Sequence, residues 1–470
     1  MSVLQISTDS TTDSAWDRLE AFVAARRSAR RPVENLEEFE RELHGMFAAA
    51  EAEAIGGELT RFDLNSPVVE IGGVAHRQVL RCESTYLAAS GPVRVMRSLY
   101  STRQGDERAV CPMELGAGIV EGYWTPLAAK QAAWTVAHLT PKEGEALFAT
   151  LGGMRPSRSS LDRLPKRLSE KWEKHRRGFE SRLRSEEAVP RATVSVAVSL
   201  DGVKIPVKGG ENTPGKCWRG AYKYQEVGCA TLSLYDSHGE RLRTVRMARM
   251  PENYKKTVKS MLSAELQAVL SKRPDLQIVK VADAAIDPWS YLKDELPPGI
   301  CIVDFYHAAE HLHESLQAAH GEGTPKCREE FERLRHVLRH DRRGAQRVIR
   351  SLIYLRGRHP HSQIIRRELA FFRKHRDKMA YAATAAKNLP IGSGVVEAAC
   401  KTLATQRLRR SGMRWRHDGG QAILTLRALA QSDRFDRGWA LIAHTYRQPV
   451  VLPRKVSALQ RVTRNSKASV

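Results

Sequence analysis

The sequence predicts an α/β protein. Its core is a mixed sheet in the order β-β-β-α-β-α-β-α. It carries an all-helical insertion and follows a mainly helical region with a small β-rich module. Three observations predict this. Between residues 193 and 304 the apolar period drops to two in several runs, while most of the rest repeats at helical spacing. Those runs are separated by turn residues or by one helix-length segment, the pattern of a mixed sheet. Hydrophobic residues make up 42% of 470, enough for two or three domains with their own cores and too many for a disordered chain.

Residues 1–12 are polar. From Asp13 to about Glu53 Trp16, Leu19, Phe22 and Val23, then Phe39, Leu43, Met46 and Phe47, fall at helical spacing. Val68–Ile71, Gln78–Cys82 and Val93–Tyr100 read as short strands between Gly- and Pro-containing turns. Helices resume near Pro126. Thr140-Pro141 opens the next, with Thr as N-cap and Pro at the first helical position, and Gly152-Gly153 stops it. After Pro156 a long basic helix follows, capped by Ser157 or Ser159; Ser159 to Asp162 fits a capping box.

The alternating run from Thr193 closes at Asp201-Gly202, and Val203–Val207 follows it. Glu226–Tyr235, the turn Asp236 to Gly239 and Arg241–Met247 form a hairpin. A helix spans about 254–271. Leu276–Ala282 is a strand ending at Asp283, a short helix lies near Trp289, Ile300–Asp304 is a strand, and a helix starts near Tyr306. This is the element order of an RNase H-like domain. Between His320 and Leu389 the chain is helical and basic, an insertion before the helix bearing Glu397. The expected division is 1–65 helical, 66–124 β-rich, 125–188 helical and helix-turn-helix-like, 189–319 with 390–447 catalytic, 320–389 inserted, and 448–470 a loose basic tail.

Lys and Arg number 76 against 53 Asp and Glu, a net charge of +23, which favours a polyanionic partner. The seven cysteines are scattered with no C-x-x-C pair, so neither a zinc ribbon nor a disulfide framework is expected. The N-terminus lacks a charged region followed by an apolar core, and no apolar stretch reaches about 18 residues. A cytoplasmic chain with no membrane partner is the expectation.

Asp201, Asp283 and Glu397 are the candidate catalytic and metal-binding residues. Hard cations take oxygen ligands, and two Mg²⁺ ions held by carboxylates can clamp both sides of an in-line phosphoryl transfer. Read singly, Asp201 fits a turn, Asp283 a helix cap and Glu397 a solvated helix face. Asp287 rivals Asp283, but lies past the strand and before Pro288. His307 follows Asp304 in Asp304-Phe305-Tyr306-His307, where Asp304 can also be a plain helix cap. His307 to His311 also spells H-x-x-E-H, the spacing of an inverted zinc-peptidase site, though no third ligand stands out downstream.

Two basic stretches are candidate DNA surfaces. In the first, Arg155, Arg158 and Arg163 would reach a major groove, and Lys166 would meet phosphates. In the second, Arg407, Arg409, Arg410, Arg414 and Arg416 surround Trp415, which either stacks on an unpaired base or belongs to the core. Trp218 and Arg219, after Asp201, can also approach DNA.

The motifs carry a resemblance. Leu200 to Val203, Ala282 to Ala285 with Trp289, Val303 to His311, Ile391 to Glu397, Leu408 to Trp415 and Gly152 to Lys166 together resemble bacterial insertion-sequence transposases of the DDE class. The branch is the ISKra type, related to Mutator-like transposases, and the likeness covers roughly residues 125–430. Two departures stand out: Ala284 follows the second aspartate where Gly is usual, and lone Cys82 and Cys111 stand where relatives often carry Cys-x-x-Cys. The resemblance implies Mg²⁺-dependent cleavage at the element ends and transfer of the freed 3′-hydroxyls into target DNA. Asp201, Asp283 and Glu397 would hold two Mg²⁺ ions, Mn²⁺ would substitute, and His307 would orient the phosphate or the metal site. The partners implied are double-stranded DNA, at element ends and target, and further copies of the chain, at least a homodimer on DNA.

Overall fold

The computed structural model describes residues 14–102, 109–208 and 222–453. Trp218 and Arg219, Cys217, residues 1–13 and most of the expected tail (454–470) lie outside the described residues. The chain divides into two compact units, residues 1–167 with 439–470, and residues 168–438.

The first unit opens with α1 (Ala15–Ser28) and α2 (Leu36–Arg61). Ser14 and Asp17 form a reciprocal capping box on α1, and the Asn35 side chain accepts from the first-turn N–H groups of α2. Three antiparallel strands follow, β1 (Val68–Ile71), β2 (Val74–Ala88) and β3 (Gly91–Ser101), and Val450–Val451 adds to the free edge of β1. Then come α3 (Pro112–Ala117), α4 (Pro126–His138) and α5 (Pro141–Leu151). Thr140 caps α5, as the sequence predicts, and the Glu143 side chain accepts the Thr140 N–H in return. The Gly152-Gly153 stop is required on two counts. Both residues have positive φ, and a Cβ on Gly153 would stand 2.6 Å from the Ala89 carbonyl oxygen in the β2–β3 turn. Next is α6 (Arg158–Glu186). Its cap is Ser157, whose hydroxyl accepts the Ser160 N–H at 3.2 Å, so the Ser159 capping box is not formed.

The second unit is built on a five-stranded sheet of β4 (Ser195–Lys208), β5 (Tyr222–Tyr235), β6 (Arg241–Arg249), β7 (Gln277–Ala282) and β8 (Ile300–Val303). The spatial order is β6-β5-β4-β7-β8. The first three strands are antiparallel; β4, β7 and β8 run parallel. Helix α7 (Lys256–Lys272) connects β6 to β7, and α8 (Ile286–Asp294) connects β7 to β8. Asp201 does not end its strand, which is a correction to the sequence reading. It lies at the seventh position of β4, paired with Cys229, and Val203–Val207 is the same strand continued. Gly202 stays in the ladder opposite Gly228, and the Glu226 side chain lies 1.9 Å from where a Cβ on Gly202 would stand.

Helices α9 (Phe305–His320), α10 (Pro325–His340), α11 (Gly344–Arg358), α12 (Gln363–His375) and α13 (Tyr381–Ala385) follow β8. Their apolar faces share one core with the sheet: Leu312, Leu338, Leu352 and Phe372 join Val196, Val279 and Ile302. After a turn come α14 (Gly394–Ala399), a π-turn at Cys400–Thr405 and α15 (Gln406–Leu408). With α16 (His417–Gln431), these cover Ile205, Val207, Val227 and Cys229 of the protruding β4–β5 pair. Among the described residues, no helix is long and apolar enough to cross a membrane.

Candidate functional site

The parallel pairing of β4 with β7 places Ser195 opposite Gln277 and Val198 opposite Lys280. Three residues further on, the same register brings Asp201 level with Asp283, just past the end of β7. Both carboxylates are half-buried. Burial raises the Asp201 carboxyl above its usual range, and the negative charge of Asp283 raises it further. The Gly202 N–H, which donates at 2.6 Å, the Cys400 thiol, at 3.5 Å, and the charge of Lys255 act in the opposite direction. Asp283 accepts the Ala285 N–H at 3.1 Å, and its backbone carbonyl accepts the Trp289 indole N–H.

Glu397 lies on α14 and is exposed. Cys400, three residues on, is the residue that touches Asp201. Its hydrogen bond with Cys229, and then burial, hold the Cys400 thiol protonated. The Glu397 carboxylate accepts the Ser393 hydroxyl. The structure therefore pairs Asp201 with Asp283 and sets Glu397 on the neighbouring helix. Among the described residues, no group of three His, Cys, Asp or Glu side chains is close enough to cage a metal.

Asp304 fixes where α14 begins. One carboxylate oxygen accepts the His307 N–H at 2.6 Å, capping α9, and the other accepts the Ser393 N–H. The Phe305 N–H donates to the Ile391 carbonyl at 3.0 Å beside it. The cap reading of Asp304 is thus present, with a long-range bond that no local pattern revealed. Nor did the sequence single out Cys400, Glu226 or Lys255. Lys255 Nζ pairs with Glu226 at 2.9 Å, and Lys259 pairs with Asp287 at 2.7 Å. Asp287, the rival second aspartate, is thereby committed to α7.

His307 and His311 meet Nε2 to Nε2 at 3.2 Å, and His311 Nδ1 bonds the fully buried Glu368 at 2.5 Å. Arg367 pairs with the same Glu368. This engages both ring nitrogens of His311 with protein groups, so the H-x-x-E-H spacing does not present two free nitrogen ligands.

The basic stretch after Glu397 divides. Arg409, Arg414 and Arg416 are exposed and Arg410 is half-buried. Arg407 is 2% exposed and lies 5.4 Å from the Trp415 ring centroid, so its assignment to a DNA surface is corrected. Trp415 belongs to the fold as well. It is half-buried, its indole N–H donates to the Leu408 carbonyl at 2.8 Å, and its backbone bonds Pro206 and Lys208 of β4. In the first unit, Arg155, Arg158 and Arg163 are exposed at and after the turn into α6, and Lys166 pairs with Asp162 at 2.6 Å.

No family model matches the chain, and no curated protein matches it. Among solved structures it is similar to the Drosophila P element transposase strand transfer complex, at 12% identity. The match covers 74% of this chain and 84% of that one, with a TM-score of 0.26, too low to carry a functional argument.

Proposed function

We propose that the chain is a DDE transposase of a bacterial insertion sequence. It has an RNase H-like core, cleaves DNA at the element ends and joins the 3′-hydroxyls to target DNA. The observation that carries this reading is the pair of Asp201, on β4, and Asp283, just past the end of the parallel β7, with the charge of one raising the acid of the other. Like charges held together in a half-buried site are a fit for divalent cations, which relieve the repulsion. The strand order β6-β5-β4-β7-β8, antiparallel then parallel, supports the RNase H-like assignment.

Asp201 and Asp283 would hold Mg²⁺, and Glu397 would complete the set by leaving Ser393. Bound there, two Mg²⁺ ions would supply an activated oxygen nucleophile and stabilise the leaving oxygen. Asp304 holds the turn from which α14 starts, and His307, on the Asp304-capped turn, is assigned to phosphate orientation. The exposed arginines of both basic stretches would bind duplex DNA, and two ends imply at least two copies of the chain.

A second reading is a DNA-binding protein without cleavage. The engagement of Glu397 by Ser393 favours it. A plasmid carrying the gene's flanking DNA separates the two. Nicks at the element ends that need both Mg²⁺ and Asp283 are the expected result, and joined products identify a transposase. Salt-sensitive binding without any cleavage selects the second reading.

A further inference from the structure

We propose that the outer face of α11 binds the phosphate backbone of duplex DNA, a third surface beside the two basic stretches above; this rests on the reading of DNA as the partner. Within Gly344–Arg358 stand Arg347, Arg350, Arg356 and Arg358, and no Asp or Glu. Arg347, Arg350, Tyr354 and Arg358 follow one another at spacings of three, four and four, so they share one face of the helix. All four are exposed. Ala345, Val348, Leu352 and Leu355 are buried on the other side and tie the helix to the core of the second unit.

No acidic residue within the helix offsets this charge. Arg343 with Arg347, and Arg347 with Arg350, are like-charge neighbours, which weaken a helix. Arg342 and Arg343 also precede its N-terminus, the end where the helix dipole favours negative charge. Arg347 pairs with Asp341 at 3.0 Å, and the Tyr354 hydroxyl accepts Arg358 at 3.1 Å. Among the described residues, Arg350 has no ion-pair partner. Helix α10, just before it, is built differently. Its Lys326 pairs with Glu329 and Glu330, Arg333 with Glu330, and Arg335 with Glu332. A solvated face can carry both signs, as α10 does. The face of α11 carries one sign at a cost to the helix, and an anionic partner offsets that cost.

The row is straight and fixed to a packed core. At about 1.5 Å per residue, Arg347 to Arg358 spans roughly 17 Å, the rise of about five base pairs. Duplex DNA stays straight over about 50 nm, so it meets the whole row without first being ordered. A single strand or an acidic peptide has to be ordered along the row, which lowers its affinity.

The test uses the full chain and fluorescence anisotropy across a salt series, with two labelled duplexes of unrelated sequence and a labelled oligothymidylate. Arg350→Gln with Arg358→Gln should flatten the log–log salt slope on both duplexes by about 2 units, and Arg350→Gln alone, which breaks no ion pair, by about 1. Arg350→Lys with Arg358→Lys should keep the wild-type slope, because a phosphate contact needs the charge and carries no base readout. Arg333→Gln with Arg335→Gln, on α10, should leave the slope unchanged. An unaltered slope in the α11 glutamine variants overturns the proposal, and so does equal flattening by the α10 variant or by the lysine pair. An effect confined to one duplex, or larger on oligothymidylate than on duplex, overturns it as well. Wild-type protein that binds duplex with a steep slope that the α11 variants do not alter overturns the α11 surface alone. Wild-type protein that binds no duplex overturns it together with the reading of DNA as the partner.

Discussion

The carboxylate of Asp304 accepts the backbone N–H of Ser393, so the residue that follows β8 and caps α9 also fixes the turn from which the Glu397 helix starts. Asp304→Ala removes both acceptors from a buried position. The expected cost is about 1–3 kcal/mol for each group left without its bond, read by urea unfolding. Asp304→Asn, which retains one acceptor oxygen, should lose less. Hydrogen exchange at Ser393 provides the direct check. Unchanged protection there in Asp304→Ala would mean that the bond does not hold the turn.

Asp201→Asn, Asp283→Asn and Glu397→Gln should each abolish Mg²⁺-dependent cleavage while leaving duplex affinity within about 3-fold of wild type. Full cleavage by any one of them removes that residue from the site. Without metal, Asp283→Asn should also bring the Asp201 carboxyl down, because it deletes the neighbouring negative charge that raises it. Carboxyl-carbon NMR titration would follow that change.

Gly202→Ala places a methyl where the Glu226 carboxylate lies and forces that side chain off Lys255. Overpacking of this kind costs about 1–3 kcal/mol. Glu226→Ala in the same chain should restore most of it, and the double-mutant cycle in urea should show strong coupling. Additive effects would mean that the strand adjusts in some other way.

Glu187 is held by Arg434, Arg243 and Arg437, and Arg434 also forks onto the buried Glu265 at 2.7 and 2.8 Å. Burial acts to raise the Glu187 acid, but the hydrogen bonds and charges of its arginines outweigh it and hold the acid at about 2. The folded value lies below the unfolded one. The stabilisation is therefore complete above the ordinary glutamate range, near 4.5, and is lost as pH falls from there through about 2. Arg434→Ala takes the forked partner from the buried Glu265 and one of three arginines from Glu187, and should cost about 3–5 kcal/mol at neutral pH. Its acid transition should also be shallower than that of wild type across this window.

Duplex binding by a chain of net charge +23 should weaken steeply with salt, with a log–log slope set by the number of phosphates contacted. Arg155→Ala and Arg163→Ala should each flatten it by about one unit, and Arg407→Ala should not, because Arg407 is buried under Trp415. A salt-independent affinity would count against phosphate contacts altogether.

Much of this protein was legible in its residues because the signals are local. The period-two runs gave the strands around β4, β5 and β7, Thr140 before Pro141 gave the α5 cap, and Asp201 and Asp283 were marked by the apolar runs before them. Asp201 was misplaced at a strand end because Asp-Gly ordinarily turns the chain. The partner strand keeps it extended, with Asp201 paired to Cys229 and Gly202 to Gly228. The arginines around Trp415 could not be sorted by sequence either. Arg407 and Arg409 are two residues apart, and burial is decided by which side of the segment meets the β4–β5 pair. The same limit hid the Asp304–Ser393 bond, which joins residues 89 apart, and the contact of Cys400 with Asp201 across 199. Sequence by itself determined most element types and singled out the acidic candidates, since these follow from short-range periodicity and side-chain chemistry. Tertiary structure alone decided which carboxylates meet, which cations remain in solvent and what holds the Glu397 helix in place, because these depend on packing between segments far apart in the chain.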